Sequence, residues 1–465
     1  MNPRAWLAIC AGRLVGAASR ALRRGGGTAV GGLVALRLDP ALPRRLAGRL
    51  GHGGVIVTGT NGKTTTSHML AAIAEQAGLW PLANASGSNL MRGITAALIA
   101  ETNALGQVSN AGERLGVFEV DEATLPEAAS ALAPRAIVFM NLFRDQLDRY
   151  GEVDTVAQLW QRTVAALPAS TTLVLCADDP AVASLARAAS GRVLTYGIED
   201  ARGGVNELEH ASDYRFCLVC GAELLYETAF YGHVGHWRCP SCGNARPRPD
   251  VAAVCVEPAS PRSTRLTVTT TAGELRVELP LAGLYNVENA LAATAAAVAL
   301  ELPLDAVERA LASFQPAFGR QERFSIDGRD VVVLLGKNPT GMNQVLRTIV
   351  AGGTGAHLLL FLNDGIADGR DISWIWDTDY ELVAPVAASA VVSGTRAEEL
   401  ALRLKYADLA IEPQLIHDPR DALDTALAAT PAGETLYVVP TYTAMLTVRE
   451  LLARRGARGH FWEER

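Results

Sequence analysis

The chain has 465 residues, 49% of them hydrophobic and 20% charged, with 42 basic against 49 acidic side chains and a formal charge of -7. At about 100 to 200 residues per domain, this predicts two to four domains of a soluble globular protein, and the acidic balance excludes a general nucleic-acid binder. No apolar run reaches the ~20 residues of a bilayer span, and arginines interrupt the core that a signal peptide requires, so the chain is expected in the cytoplasm.

The first 50 residues read as a helical leader. In "MNPRAWLAICAGRLVGAASRALRR" small apolar residues alternate with Arg13, Arg20, Arg23 and Arg24 at roughly helical spacing. The expectation is a helix packed on its own domain, with a place on an anionic membrane surface as the alternative. From residue 51 short apolar runs alternate with helical patterns, which argues for an α/β domain over residues 51–314 with a mostly parallel sheet.

Its first unit, "GVIVTGTNGKTTTS", is a strand, a glycine turn and a helix start. Backbone N–H groups of Gly59, Thr60, Asn61, Gly62 and Thr65, with the helix N-terminus, can cradle phosphates while Lys63 reaches the outer ones. Thr64 offers a hydroxyl to magnesium. The turn is a shorter variant of the phosphate loop, with Val57 where the full pattern has glycine and Gly59 inside it instead. Further on, "FEVDEATL" ends a buried strand with Glu119, Asp121 and Glu122, at the sheet edge where such folds bind ligands. A hard oxygen ligand for magnesium is what an ATP site would need there, with solvated acids at a strand end as the alternative reading of Asp121 and Glu122 individually.

Four of the seven cysteines, Cys217, Cys220, Cys239 and Cys242, form C-x2-C-x18-C-x2-C. That is the spacing of a structural zinc ribbon, here an insertion over 208–247, with a closed shell of four sulfurs. His233 and His236 could substitute as ligands, but the simpler expectation places them on the ribbon surface. "TRLTVTTTAGELRVELP" reads as a hairpin and "NVENALAATAAAVAL" as an alanine-rich helix. A linker is expected in "FQPAFGRQE", and a second α/β domain over 315–465 contains "VVVLLG", the buried strand "HLLLF", "SAVVSG", "TLYVVPTY" and a closing helix. Behind "HLLLF" lies "LNDGIADGRDISWIWD", with four aspartates and two tryptophans in sixteen residues.

"GTNGKTTT", the "EVDE" acids, "NLFRDQLDRYG", "GLYNVENALAA" and "FGRQERF" resemble, in that order, the motifs of the Mur ligase family of ATP-dependent amide-forming enzymes. The resemblance implies that Lys63 and its loop bind ATP, that Glu119 holds magnesium, that Asn286 and Asn289 sit near the adenine, and that Arg320 contacts nucleotide at a hinge. Gln146 replaces the family's usual histidine, and the four-cysteine ribbon is not typical of it. Both departures, with "GKNPTGMNQ" and "DGRDISWIWD", resemble the MurT branch, the synthetase subunits of lipid II isoglutaminyl synthases, which form a heterodimer with a GatD-type glutaminase.

The activity implied is amidation of the D-glutamate α-carboxylate of lipid II to D-isoglutamine in peptidoglycan synthesis, through an acyl phosphate and ammonia from the partner. The implied cofactors are ATP, Mg2+ and Zn2+. Cys10, Cys176 and Cys255 lack a nucleophile context; the resemblance to the MurT branch implies that the acid-rich loop serves the partner's catalytic triad in trans. Asp371 is the favoured residue, with Asp364, Asp368 and Asp377 as alternatives and Asp377 read mainly as a turn cap. Trp374 and Trp376 would be free to supply the apolar part of the interface. Lys63 is expected in an exposed loop. Two other readings compete: a stand-alone Mur-type or folylpolyglutamate-type ligase that adds an amino acid, and a non-catalytic scaffold with a relic ATP site.

Overall fold

The structure is a computed structural model that describes residues 3–21, 28–84, 88–145, 152–205, 207–210, 212–260, 262–315 and 320–455. Three helices lead the chain: α1 (Pro3–Ala21), α2 (Thr28–Leu38) and α3 (Leu42–Ala47). Then follow β1 (Gly54–Thr58), α4 (Lys63–Gln76), β2 (Trp80–Ala83), α5 (Met91–Ala100), β3 (Arg114–Glu119), α6 (Leu125–Leu132), β4 (Ala136–Phe139), α7 (Val153–Ala165), β5 (Thr172–Cys176), α8 (Pro180–Ser184) and β6 (Val193–Ile198). The hairpin of β7 (Leu225–Tyr231) and β8 (Val234–Arg238) precedes β9 (Val251–Ser260), β10 (Ser263–Thr270), β11 (Gly273–Leu279), α9 (Leu284–Ala299) and α10 (Leu304–Ala312).

Among the described residues the first sheet has the order β11-β10-β9-β6-β5-β4-β1-β3-β2. Strands β1 to β6 and β9 run parallel, and β9, β10 and β11 form an antiparallel meander at one edge. Every residue of β1, β3 and β4 is buried, because helices cover both faces of a parallel sheet. Each Val, Ile or Leu there contributes roughly 1.5–3 kcal/mol on burial. The alanine-rich α9 is buried over almost its whole length. The sheet order reverses around β1: β2 and β3 lie on one side, β4 to β6 on the other. Ligands bind such sheets at the crevice beyond the carboxyl ends of the strands at that reversal.

The second sheet comprises β12 (Arg320–Ile326), β13 (Arg329–Leu334), β14 (Ala356–Phe361), β15 (Ala387–Ser393), β16 (Gln414–Leu415) and β17 (Thr435–Val439), in the order β12-β13-β17-β14-β15-β16. It is parallel except for β12. Four helices accompany it: α11 (Pro339–Ala351), α12 (Ala397–Tyr406), α13 (Pro419–Ala429) and α14 (Tyr442–Arg454). Two separate apolar cores lie around it, distinct from the large core of the first sheet. The expected α/β class, hairpin, alanine-rich helix and buried "HLLLF" strand are all present.

The leader packs on the first sheet's unit. A Cβ on Gly32 of α2 would stand 1.7 Å from the Arg92 carbonyl oxygen of α5, and one on Gly12 of α1 would stand 2.9 Å from that of Gly31. Only glycine permits helix axes this close. Among the described residues no helix is long and apolar enough to cross a membrane.

Candidate functional site: a nucleotide cradle, a cysteine cluster and an acid loop

The crevice beyond β1 holds the glycine turn. Gly62 has φ +87°, and a Cβ there would fall 2.1 Å from Oδ1 of Asn289, so only glycine fits both the backbone and the space. Asn141, just after β4, fixes the turn: its carbonyl accepts from Thr60 N at 2.9 Å, and its Oδ1 from Asn61 N at 2.8 Å. Thr60 Oγ1 donates to the Phe143 carbonyl at 3.1 Å. Helix α4 then begins at Lys63 with no side-chain cap, which leaves the anion-binding end of the helix at the crevice.

Lys63 is buried, in the first turn of α4, and does not stand in an exposed loop as the sequence suggested. The turn folds back over it, so its Nζ donates to the carbonyls of Gly59 and Thr60 and to Glu122 Oε2, the last at 3.0 Å. Burial alone would lower its pKa, but Glu122, Asp121 and Glu119 outweigh burial and raise it, so the ammonium stays charged. Burial pushes the Glu122 carboxyl up against the pull of Lys63. Asp121 and Glu122 are buried, not solvated strand-end acids, because the chain turns into a short 3-10 segment directly under the cradle.

Thr64 Oγ1 donates to Glu119 Oε2 at 2.8 Å, and Glu119 is itself held by Asn84, which accepts from its N at 2.9 Å and donates to its carbonyl at 3.0 Å. A hydroxyl beside a carboxylate at the foot of a phosphate loop is a hard-oxygen pair of the type magnesium prefers. Asn289 lies over Gly62, and Asn286 accepts from Asn289 Nδ2 at 3.3 Å; both line the crevice with Tyr231, Leu281 and Tyr285. Arg320 opens β12, and its side chain lies outside the described residues, as do Gln146 and most of "FQPAFGRQE".

The second sheet's unit closes the crevice, a feature sequence reasoning missed. Asn338 caps α11 and donates to Asn61 Oδ1 at 3.0 Å; Lys337 pairs with Asp145; and Arg144 bridges Asp213 at 2.6 Å and Asp377 at 2.8 Å. "GKNPTGMNQ" was the available signal, a lysine and an asparagine before a Pro-started helix. Asp377 is therefore an ion-pair partner and not a turn cap.

The four cysteine sulfurs lie within 4.8 Å of one another, with Sγ–Sγ separations of 3.6 Å for Cys217–Cys242 and 3.4 Å for Cys220–Cys239. Tetrahedral ligands at about 2.3 Å from a zinc ion stand about 3.8 Å apart, so the cluster fits that ion. The Cys217 thiol is lowered to about 6: burial opposes this, and the backbone N–H groups of Val219 and Cys220 outweigh it. His233 and His236 do not lie on the ribbon surface. His233 is fully buried against Asp179 Oδ2 at 3.3 Å, and His236 Nε2 meets the Ile198 carbonyl at 2.7 Å. With Trp237 donating to the Ala177 carbonyl and Arg246 paired with Asp178, they tie the β7–β8 hairpin to the carboxyl ends of β5 and β6.

In the loop after β14, Asp368 is buried and accepts from Thr443 N at 2.7 Å, while Asp364 pairs with Arg396 at 2.8 Å. Asp371 is exposed and accepts from Ser373 N at 2.8 Å. Trp374 is not free: it packs on the core of the second unit. Trp376 is half exposed, edge-on to Tyr406 at 5.7 Å and under the Arg403 guanidinium.

Comparison with known proteins bears on this geometry. The Mur ligase middle domain model matches residues 57–235, and the MurT ligase C-terminal model matches residues 335–445. The chain belongs to the MurT family of Mur-type ligases. It is 32% identical over 456 residues to the lipid II isoglutaminyl synthase (glutamine-hydrolyzing) subunit MurT of Staphylococcus aureus strain COL, covering 97% of this chain and 98% of that one. It is 31% identical to the same subunit of Streptococcus pneumoniae, over 93% and 94% of the two chains. A pseudomurein peptide ligase type C from Methanothermus fervidus shares the fold, with a TM-score of 0.66 at 24% identity over 86% of this chain and 78% of that one.

Proposed function

We propose that this chain is the synthetase subunit of a lipid II isoglutaminyl synthase, which amidates the α-carboxylate of D-glutamate with ATP and ammonia. The observation that carries the reading is a buried Lys63 beside a Thr64–Glu119 pair, in a crevice closed by Lys337 and Asn338, within a chain that matches MurT subunits end to end. A carboxylate resists an amine because oxide is a poor leaving group. One carboxylate oxygen therefore attacks the γ-phosphorus, the bond to the ADP oxygen breaks, and an acyl phosphate forms. Ammonia then attacks the acyl carbon, phosphate leaves with the bonding pair, and the nitrogen loses a proton.

In this mechanism Lys63 neutralises charge that moves from the γ- to the β-oxygens, and the N–H groups at the start of α4 orient the phosphates. Thr64 and Glu119 would hold magnesium, which supplies Lewis-acid stabilisation of the transferring phosphoryl group when bound. Asn286 and Asn289, which line the crevice, would sit near the adenine, and Arg320 would serve the nucleotide at the junction of the units. Cys217, Cys220, Cys239 and Cys242 hold a structural zinc ion.

A GatD-type glutaminase supplies the ammonia in a heterodimer. Asp371 orients the histidine of its triad, because of the four loop aspartates Asp364, Asp368 and Asp377 are held by Arg396, Thr443 and Arg144, whereas Asp371 is exposed with a local backbone contact. Half-exposed Trp376, with Ile366 and Tyr406, forms the apolar part of that interface. The substrate is lipid-linked, so the protein works as a peripheral protein at the cytoplasmic face of the membrane. Co-expression with a glutaminase-like neighbour, followed by mass analysis of lipid II, tests the reading. Replacement of a glutamate hydroxyl by an amine is the expected change, and addition of a whole amino acid would assign the chain to the stand-alone ligases instead.

A further inference from the structure

The first 50 residues carry nine arginines and a single aspartate, a formal +8 inside a chain whose total is -7. The aspartate, Asp39, pairs with Arg45. Arg13 Nη1 and Arg49 Nη1 donate to the neutral carbonyls of Thr102 and Gly106, contacts that fix the side chains without cancelling their charge. This basic segment also displays apolar surface that the fold does not use. Helix α1 turns Ala5, Ala8, Ile9 and Gly12 inward, and the close approach of Gly12 to Gly31 fixes its rotation. The opposite face presents Trp6 (47% exposed), Leu7 (50%) and Leu14 (74%), with Val30 (48%) at the start of α2. Leu7 and Leu14 stand two helical turns apart on one side, flanked by Arg4 and Arg13, which are also exposed.

From this we infer that the outer face of α1, with the start of α2, docks on an anionic bilayer surface: Trp6, Leu7 and Leu14 enter the headgroup boundary and the surrounding arginines meet anionic headgroups. Charge selects this occupant. A second copy meeting this one through the same face would bring +8 against +8, whereas an anionic leaflet offers the opposite sign, and an amphipathic helix with tryptophan and leucine on one side and arginine beside them lies in the interface plane. The inference deepens the peripheral placement proposed above, by giving it a surface, and makes no use of the nucleotide crevice.

The test is co-sedimentation of the full chain with vesicles that contain no lipid II, so failure of the amidation reading cannot produce or hide the outcome. Vesicles of equal parts phosphatidylglycerol and phosphatidylcholine are compared with phosphatidylcholine alone, at low and at high salt. The expected result is binding to the anionic vesicles, weakened by salt as screening demands, and none to the zwitterionic ones. The pair Leu7→Glu and Leu14→Glu is expected to cut anionic binding about tenfold or more, with an unchanged far-UV spectrum and unchanged ammonium-dependent activity on detergent-solubilised lipid II. Arg37→Gln with Arg44→Gln, which leaves the apolar face intact, is expected to weaken binding less and to flatten its salt dependence. Three results would overturn the inference: equal binding to both vesicle types, no effect of the leucine pair, or a concentration-dependent dimer that the leucine pair abolishes in place of vesicle binding. Loss of vesicle binding when the glutaminase is added would reassign the face to that partner.

Discussion

The cradle after β1 and the acid loop after β14 both follow a buried parallel strand, yet they are finished to different degrees. In the cradle the buried groups are answered from within the chain: Lys63 by Glu122, Thr64 by Glu119, the turn by Asn141. In the acid loop Asp364, Asp368 and Asp377 are answered in the same way, but Asp371 is exposed and accepts from the neighbouring Ser373 N–H. A buried charge must be paired to be tolerated, so the first region is preorganised for phosphate chemistry by the chain's own folding. An exposed carboxylate in a held loop costs nothing to leave open, which suits a group that completes its contacts on a second protein.

The sharpest way to break this contrast is Lys63→Ala. Amidation is expected to fall on the order of a thousandfold with either glutamine or ammonium as nitrogen source, because both share the phosphoryl transfer. The check is a steady-state assay of each, with Glu122→Gln as companion, since removal of the lysine alone leaves a buried acid unpaired. Near wild-type ammonium activity in Lys63→Ala would remove the cradle from the chemistry.

Asp371→Asn probes the other region. In the reconstituted pair, glutamine-dependent amidation is expected to drop on the order of a hundredfold or more, by analogy with loss of a triad carboxylate, while ammonium-dependent amidation survives. Equal loss with both nitrogen sources would place Asp371 outside the partner's triad.

A smaller effect on chemistry is expected at the cysteine cluster. Cys217→Ser or Cys239→Ser should lower thermal stability by several degrees and release zinc before the specific activity of the remaining folded protein changes, since a zinc ion held by the four sulfurs would supply the ribbon's folding energy. Metal analysis of wild-type protein should give about one zinc per chain. Far less than that in stable, freshly purified protein would exclude a structural ion.

The smallest effect concerns Glu288, which sits between the two asparagines of α9 and accepts the Tyr231 hydroxyl hydrogen. Burial first, then Asp178, pushes its carboxyl well above the ordinary 4.5. A carboxyl raised on folding favours the native state only while it is protonated. That contribution is whole below pH 4.5 and is lost progressively as pH rises toward the folded value. Glu288→Gln does not titrate, so its stability relative to wild type, followed by thermal melting across a pH series, should climb from pH 4.5 upward at about 1.4 kcal/mol per pH unit until the native carboxyl ionises. A gap that stays constant with pH would mean that Glu288 is charged in the native protein.

The same pair of regions shows what a sequence discloses. The glycine turn, the "HLLLF" strand, the hairpin and the cysteine spacing were legible because each is a local pattern, fixed by residues a few positions apart. Lys63 and Glu122 are 59 residues apart, Lys337 and Asp145 are 192, and Asn338 and Asn61 are 277. No periodicity encodes such pairings, so Lys63 read as exposed and the solvated alternative stayed open for Asp121 and Glu122, when all three are buried. His233 and His236 were misplaced for the same reason, as their partners, Asp179 just after β5 and Ile198 at the end of β6, lie outside the ribbon. The choice of Asp371 among four aspartates rested on position alone; the partners of the other three are visible only in the fold.

The central claim is that this chain holds the complete machinery for activating a carboxylate but not for releasing ammonia. It is tested most directly by incubating the purified chain, without any glutaminase, with lipid II, ATP and magnesium, and weighing the product. With ammonium chloride, amidated lipid II and ADP are expected to form together; with glutamine as the nitrogen source, neither amide nor ADP should accumulate above background. Amidation from glutamine by the chain alone, or transfer of an intact amino acid to lipid II, would contradict the claim.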